Sequence, residues 1–222
     1  MATATNLSAK EKTARDRRNQ IALVAIRLFL KQGVANTSMR QLAAEVGMTT
    51  GGLYHFFRSK NEIISTVAEN ARYYHGTVKK FRESLGDVSP TVAFRESARY
   101  WLNMGRISQD YAIFFDRESL HLEPGVKEGF LDGVRGLISY FEELLKDGVA
   151  AGEFEVENPT LVAFNVVMLR TQYAMRRWFL KGLMSPEEYA DQQVRGIMKQ
   201  IAVVKREACA AQAGAADRGD SR

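Results

Sequence analysis

Proline is scarce in this 222-residue chain, and its placement restricts the fold more than any other single feature. The four are Pro90, Pro124, Pro159 and Pro186, and each stands at the head of an apolar helical pattern, never inside one. Proline at a first helical position sacrifices no hydrogen bond, because that N–H has no intrahelical partner. Asn158-Pro159 and Ser185-Pro186 read as an N-cap followed by a first turn, and Glu188 completes a capping-box pattern with Ser185. No stretch alternates apolar and polar residues between hairpin turns. The spacing therefore predicts an all-α chain with short connections.

Ile21, Val24, Ala25, Leu28 and Phe29 recur at helical spacing, predicting a helix over about 12–32 that stops at Gly33. Two short helices follow, from about Ser38 and over about 49–56, separated by the turn Val46-Gly47-Met48. Ser59 caps a long helix to about Leu85. Further helices are expected over about 91–109, near 114–121, and over about 125–151, 159–180 and 186–206. The division is a flexible basic N-terminus at 1–15, a first domain at 16–76, a second at 77–207 and a disordered tail at 208–222.

Composition removes several classes. Cys209 is the lone cysteine, so no intrachain disulfide framework exists and a reducing cytoplasm is the expected location. No apolar run approaches the roughly 20 residues that a membrane span needs, and the N-terminal segment lacks the apolar core of a signal peptide. No membrane partner is expected. The net charge of +5 is uneven. Residues 1–60 carry ten Lys/Arg against three Asp/Glu, while the remainder carries 21 against 23. A basic end on a near-neutral body suggests a polyanionic partner there, although a solvated charged helix face would look the same. No metal-ligand spacing, phosphate loop or nucleophile elbow is present, so neither catalytic residues nor a metal or cofactor are expected.

The segment from Thr37 to Phe57 points to a function. Two short helices joined by a three-residue turn with a central glycine make a helix-turn-helix, here 39–58. Ala43 is small where the helices would cross, and Gly47 suits a positive φ. Leu42, Val46 and Leu53 supply a shared apolar seam. The second helix opens Thr49-Thr50-Gly51-Gly52, small groups that can approach base edges and phosphates.

Together with the apolar helix before Gly33, the run Leu42-Ala-Ala-Glu-Val-Gly-Met48, then Gly52-Leu-Tyr-His-Phe-Phe57 and Ser59-Lys-Asn-Glu-Ile63, resembles the DNA-binding domain of the tetracycline-repressor (TetR) family over about residues 16–76. The resemblance implies a three-helix DNA-binding domain joined to a helical ligand-binding and dimerisation domain. It implies Thr49, Thr50 and Gly51 at the groove end of the recognition helix, and the Tyr54 hydroxyl on a phosphate. His55 would meet phosphate or a base, and Lys60 would stand against the backbone at a helix N-terminus. Thr37 and Ser38 would cap and touch phosphate, with Thr37 equally readable as a cap alone. Arg40 would reach base or phosphate, while Arg17 and Arg18 would add sequence-independent attraction. Phe56 and Phe57 are assigned to the core.

The family pattern also implies a homodimer on double-stranded operator DNA. Its interface would be the last two long helices, whose stripes are Leu161, Phe164, Val167, Met168 and Thr171, then Val194, Ile197, Met198, Ile201 and Val204. The alternative is that these stripes only close a monomer core. A ligand site is expected from Trp101, Met104, Phe114, Phe115, Phe130, Arg170, Tyr173 and Arg177. Segments at 150–154, 176–182 and 185–191 resemble an acyl-CoA-responsive subgroup of the family. The expected role is a repressor released by a small hydrophobic effector, an acyl-CoA thioester in that case. A regulator of an efflux or detoxification gene answering an aromatic or drug-like ligand is the rival. The long helix after Lys60 would carry the signal from sensor to DNA-binding domain.

Overall fold

The computed structural model describes residues 9–203. Expectations about the tail at 208–222, Cys209 and Val204 lie outside the described residues, as does the start of the 1–15 segment. Nine helices are present among the described residues: α1 (Ala9–Gln32), α2 (Met39–Val46), α3 (Thr50–Phe56), α4 (Lys60–Ser84), α5 (Pro90–Leu102), α6 (Arg106–Glu118), α7 (Pro124–Ala150), α8 (Pro159–Leu180) and α9 (Pro186–Ile201). Residues 9–15 are thus the first turns of α1.

Local chemistry sets most of the boundaries. Ser38, Thr49, Ser59, Ser89, Asn158 and Ser185 each accept a backbone N–H at a helix start, which satisfies an otherwise orphaned donor. Ser185 and Glu188 form the expected capping box: the Glu188 carboxylate accepts the Ser185 N–H at 2.7 Å. Pro90, Pro124, Pro159 and Pro186 all stand in the first turn of their helices. Gly47 ends α2 at φ 74°, a left-handed conformation in which a side chain would be strained.

Two expected helices require correction. The helix predicted over 91–109 is broken at Asn103-Met104-Gly105, so that α5 and α6 are separate and α6 absorbs the short helix placed near 114–121. Buried Phe94, Ala98, Trp101, Ser108, Tyr111 and Phe115 continue the three-to-four spacing across the corner, so the apolar pattern held no sign of the turn. The last helix ends at Ile201 rather than 206, because the chain becomes extended there. Ala202 forms an isolated bridge with Phe154, and the Glu155 N–H donates to the Ile201 carbonyl at 2.8 Å. Phe154 reaches this position by lying against Gly148, where an added Cβ would fall 2.0 Å from its ring.

The expected boundary at residue 76 falls inside α4. One core joins α1–α4 and also takes Tyr111, Phe114 and Phe115 from α6. Phe29 of α1 meets Phe114 with ring centroids 5.9 Å apart. The other core joins α5, α7, α8 and α9, with Val78 of α4. Helices α4 and α6 therefore belong to both halves of the molecule.

Candidate DNA-reading face and ligand cavity

The N-terminal helices present a compact exposed face around α3. Leu53 is the buried anchor of that helix, and the Thr49 hydroxyl accepts the Gly52 N–H at 3.1 Å. Thr49, Gly51, Tyr54 and His55 are exposed and Thr50 half-buried. Nothing lies within 4 Å of where a Gly51 Cβ would stand, so the helix start is sterically open. Tyr54 is 50% exposed, and His55 lies edge-on to Phe56. Phe57 is fully buried. Ser38 closes a capping box with Gln41, and Arg40 is exposed beside it.

Other residues expected at the same face are held internally. Thr37 is 1% exposed, and its hydroxyl donates to the Gly33 carbonyl at 2.7 Å while accepting from Gln32. It ties α1 to the loop before α2. Arg18 stacks over Phe57, donates to the Phe56 carbonyl, and pairs with Glu62 at 3.0 Å. Its charge clamps α1, the end of α3 and α4 together. Arg17, by contrast, donates along its own helix to the Gln20 side-chain oxygen at 3.2 Å, an exposed contact. The Lys60 ammonium donates to the Val34 carbonyl at 2.6 Å, so it closes the α1–α2 loop over the start of α4. Partners are the signal that separates these cases, and for Arg18 and Lys60 those partners are distant in the chain.

In the larger half, a cavity of about 320 Å³ lies between α5, α6, α7 and α8. Trp101, Ser108, Tyr111, Phe115 and Arg170 line it and are buried, while Phe164 and Asp116 stand exposed at its rim. Phe115 and Phe130 stack at 4.0 Å along one wall. Of the eight residues expected at a ligand site, Trp101, Phe115, Phe130 and Arg170 converge here. Phe114 is turned toward Phe29 in the other core. Met104 lines a separate hollow with Tyr100 and Arg106. Tyr173 packs against Tyr189 of α9 at 4.8 Å, and Arg177 is exposed. Tyr111, another aromatic of this stretch, is here too, while Ser108 and Ala112 carry no apolar or aromatic signal in the sequence that would mark them as cavity lining.

A further cavity, about 370 Å³, lies where the α1–α2 loop meets α6 and α7, with Val34, Ile64, Leu122 and Val126 in its walls. It has no buried charged group. Among the described residues, no group of three His, Cys, Asp or Glu side chains could hold a metal ion, and no helix is long and apolar enough to cross a membrane.

An exposed recognition-type helix beside a cavity-bearing helical body defines a helix-turn-helix protein with a second, sensing-type domain. Residues 21–67 match the domain family "Bacterial regulatory proteins, tetR family", and residues 87–201 match "Tetracyclin repressor-like, C-terminal domain". The chain belongs to the TetR family, whose members are DNA-binding transcriptional regulators and not enzymes. It is 24% identical over 176 residues to the HTH-type transcriptional regulator TtgR of Pseudomonas putida, covering 75% of this chain and 82% of that one. The structure of AibR in complex with isovaleryl coenzyme A and operator DNA matches with a TM-score of 0.68 and 22% identity, over 80% of this chain and 96% of that one. The ketosteroid transcriptional regulator KstR2 of Mycobacterium tuberculosis matches with a TM-score of 0.71 and 17% identity, over 85% and 96%.

Proposed function

We propose that this chain is a homodimeric cytoplasmic repressor that binds palindromic double-stranded operator DNA and is released by a small hydrophobic effector. The observation that carries the reading is the double role of α6. Its Tyr111 and Phe115 line the 320 Å³ cavity. On its other side Phe114 packs on Phe29, the Arg117 guanidinium donates to the Leu30 carbonyl at 3.0 Å, and Asp110 faces Arg27 at 3.7 Å. The Tyr111 hydroxyl also accepts from Asn70 of α4 at 3.3 Å. An occupant of the cavity presses on a helix that is bolted to the DNA-binding domain. Signal transfer through α6 and α4 together supports the reading better than α4 alone.

In the proposed complex, each protomer sets α3 in a major groove, with half-sites about 34–36 Å apart or a multiple of that. Thr49, Thr50 and Gly51 face bases. Tyr54, Ser38 and Arg40 face the backbone. Arg17 adds charge, and His55 stands at the groove edge. The dimer face supported best is α8. Leu161, Phe164, Trp178 and Phe179 are exposed along it, Trp178 by 75%, with exposed Leu183 just past its end, and a bare apolar stripe of this length suits a second copy. Val194 and Ile201 of α9 are buried within the single chain, so α9 contributes its flank, Ile197 and Met198. AibR's complex with isovaleryl coenzyme A supports an acyl group as the cavity's occupant.

Light scattering and fluorescence-anisotropy titration of the purified protein test this reading. The duplexes are inverted repeats from promoters flanking its gene, at several salt concentrations. A dimer, one duplex bound far above the others, and an affinity falling linearly with the logarithm of salt are expected. A monomer, or equal binding to all duplexes, would sink it.

A further inference from the structure

Arg170 is a charge with no counter-charge. It is 5% exposed, at the floor of the cavity between α5, α6, α7 and α8. Its guanidinium lies 3.7 Å from the centre of the Trp101 ring. Nη1 donates to the Ser108 hydroxyl at 2.6 Å, and that hydroxyl in turn donates to the Gly105 carbonyl at 3.0 Å, so the contact is with a neutral oxygen. Nε is buried and has no hydrogen-bond partner. Asp116, the one acidic residue of the lining, stands exposed at the rim and forms no ion pair with it among the described residues. Burial pushes the guanidinium pKa down to about 9, which leaves it cationic at neutral pH.

A buried cation is normally retained only beside an anion, because its desolvation is otherwise uncompensated. We propose that the missing anion belongs to the effector, and that the effector is a hydrophobic monocarboxylate whose carboxylate pairs with the guanidinium of Arg170. This deepens, and rests on, the reading of the cavity as the effector site. The geometry selects the head group. Trp101 covers one face of the guanidinium and Ser108 occupies Nη1. The Nε–Nη2 edge has the fork shape that matches a carboxylate in two parallel hydrogen bonds, and a small shift of the wall is needed to uncover Nε, which has no exposed surface here. Arg170 is the single cationic residue in the lining, which suits one negative charge and not a polyphosphate. About 320 Å³ is at the small end of ligand cavities. Phe115 and Phe130 offer the body of the acid a flat apolar wall. The nucleotide portion of a coenzyme thioester has neither the volume nor the charges it needs here.

The test uses full-length protein in calorimetry and thermal-shift titrations, without DNA. The probes are octanoate, 4-phenylbutyrate and phenylacetate, each against its primary amide, together with octanoyl coenzyme A. At least one acid is expected to bind and to exceed its amide by about tenfold or more. Arg170→Lys keeps the charge but loses the fork, so it weakens that acid and narrows the margin. Arg170→Met removes the margin altogether, and its unliganded melting temperature rises because no unpaired charge is left inside. Amides that match their acids, octanoyl coenzyme A binding where free octanoate does not, or Arg170→Met binding acids unchanged would each overturn the proposal. Should Arg170→Met not fold, the acid-amide margin in the wild type and in Arg170→Lys decides. Failure to find an operator would break the repressor reading while leaving this comparison standing.

Discussion

The recognition helix α3 and the cavity helix α6 meet the rest of the molecule in opposite ways. Helix α3 is seven residues long and buries Leu53. It is held by its Thr49 cap, the Gly47 turn and the seam with α2, all within a short stretch of chain. Helix α6 is thirteen residues long and buries side chains on more than one face. Its partners include Leu30, 87 positions away, and Ser108 on it meets Arg170, 62 positions away. The contrast has a physical sense. A reading surface must protrude and stay constant, which local hydrogen bonds and one apolar anchor achieve. A sensing element must connect distant parts, so that occupancy of one side strains the other.

The strongest way to break this comparison is to cut the non-local seam. Phe114→Ala removes a fully buried ring from the joint with Phe29 and should cost about 3–5 kcal/mol of stability in urea denaturation. A loss below about 1 kcal/mol would mean that the two halves do not share a core. A pair of neighbouring arginines sharpens it next. Arg18→Ala forfeits its carbonyl bond, the Glu62 pair and the Phe57 stack, and should lose about 1–3 kcal/mol. Arg17→Ala should change stability by less than about 0.5 kcal/mol while lowering DNA affinity and reducing the salt slope by about one unit. Matched denaturation curves and anisotropy titrations distinguish them, and identical behaviour of the two variants would dissolve the distinction.

Within α3, Thr49→Ala should cost about 1 kcal/mol through loss of the cap. Tyr54→Phe should leave the melting temperature unchanged and weaken all duplexes alike by the worth of one hydrogen bond, about 0.5–1.5 kcal/mol. A Tyr54→Phe effect confined to one base position would reassign that side chain to base readout.

The smallest effect concerns pH. The Arg58 N–H holds the Glu62 carboxyl below its ordinary value of 4.5; burial opposes it, and the Arg18 guanidinium adds to the lowering. Its contribution is complete above that ordinary value and is lost as pH falls through the lowered one. Glu62→Gln should therefore flatten the acid side of the stability curve, read as melting temperature from neutral to about pH 3. An unchanged acid limb would show that the carboxylate carries no measurable part of the clamp.

The amino-acid sequence by itself determined the all-helical class, the caps and the helix-turn-helix. These depend on interactions between residues a few positions apart, whose spacing is visible in one dimension. Tertiary structure alone decided that Thr37, Arg18 and Lys60 are internal ties, that the chain turns between Leu102 and Arg106, and which aromatic rings face the cavity. The apolar pattern runs unbroken through that turn, and a ring that lines a cavity has the same spacing as one that fills a core. Arg170 shows the division most clearly. Its charge is evident in the chain, but its burial without a counter-ion exists only once four helices close around it.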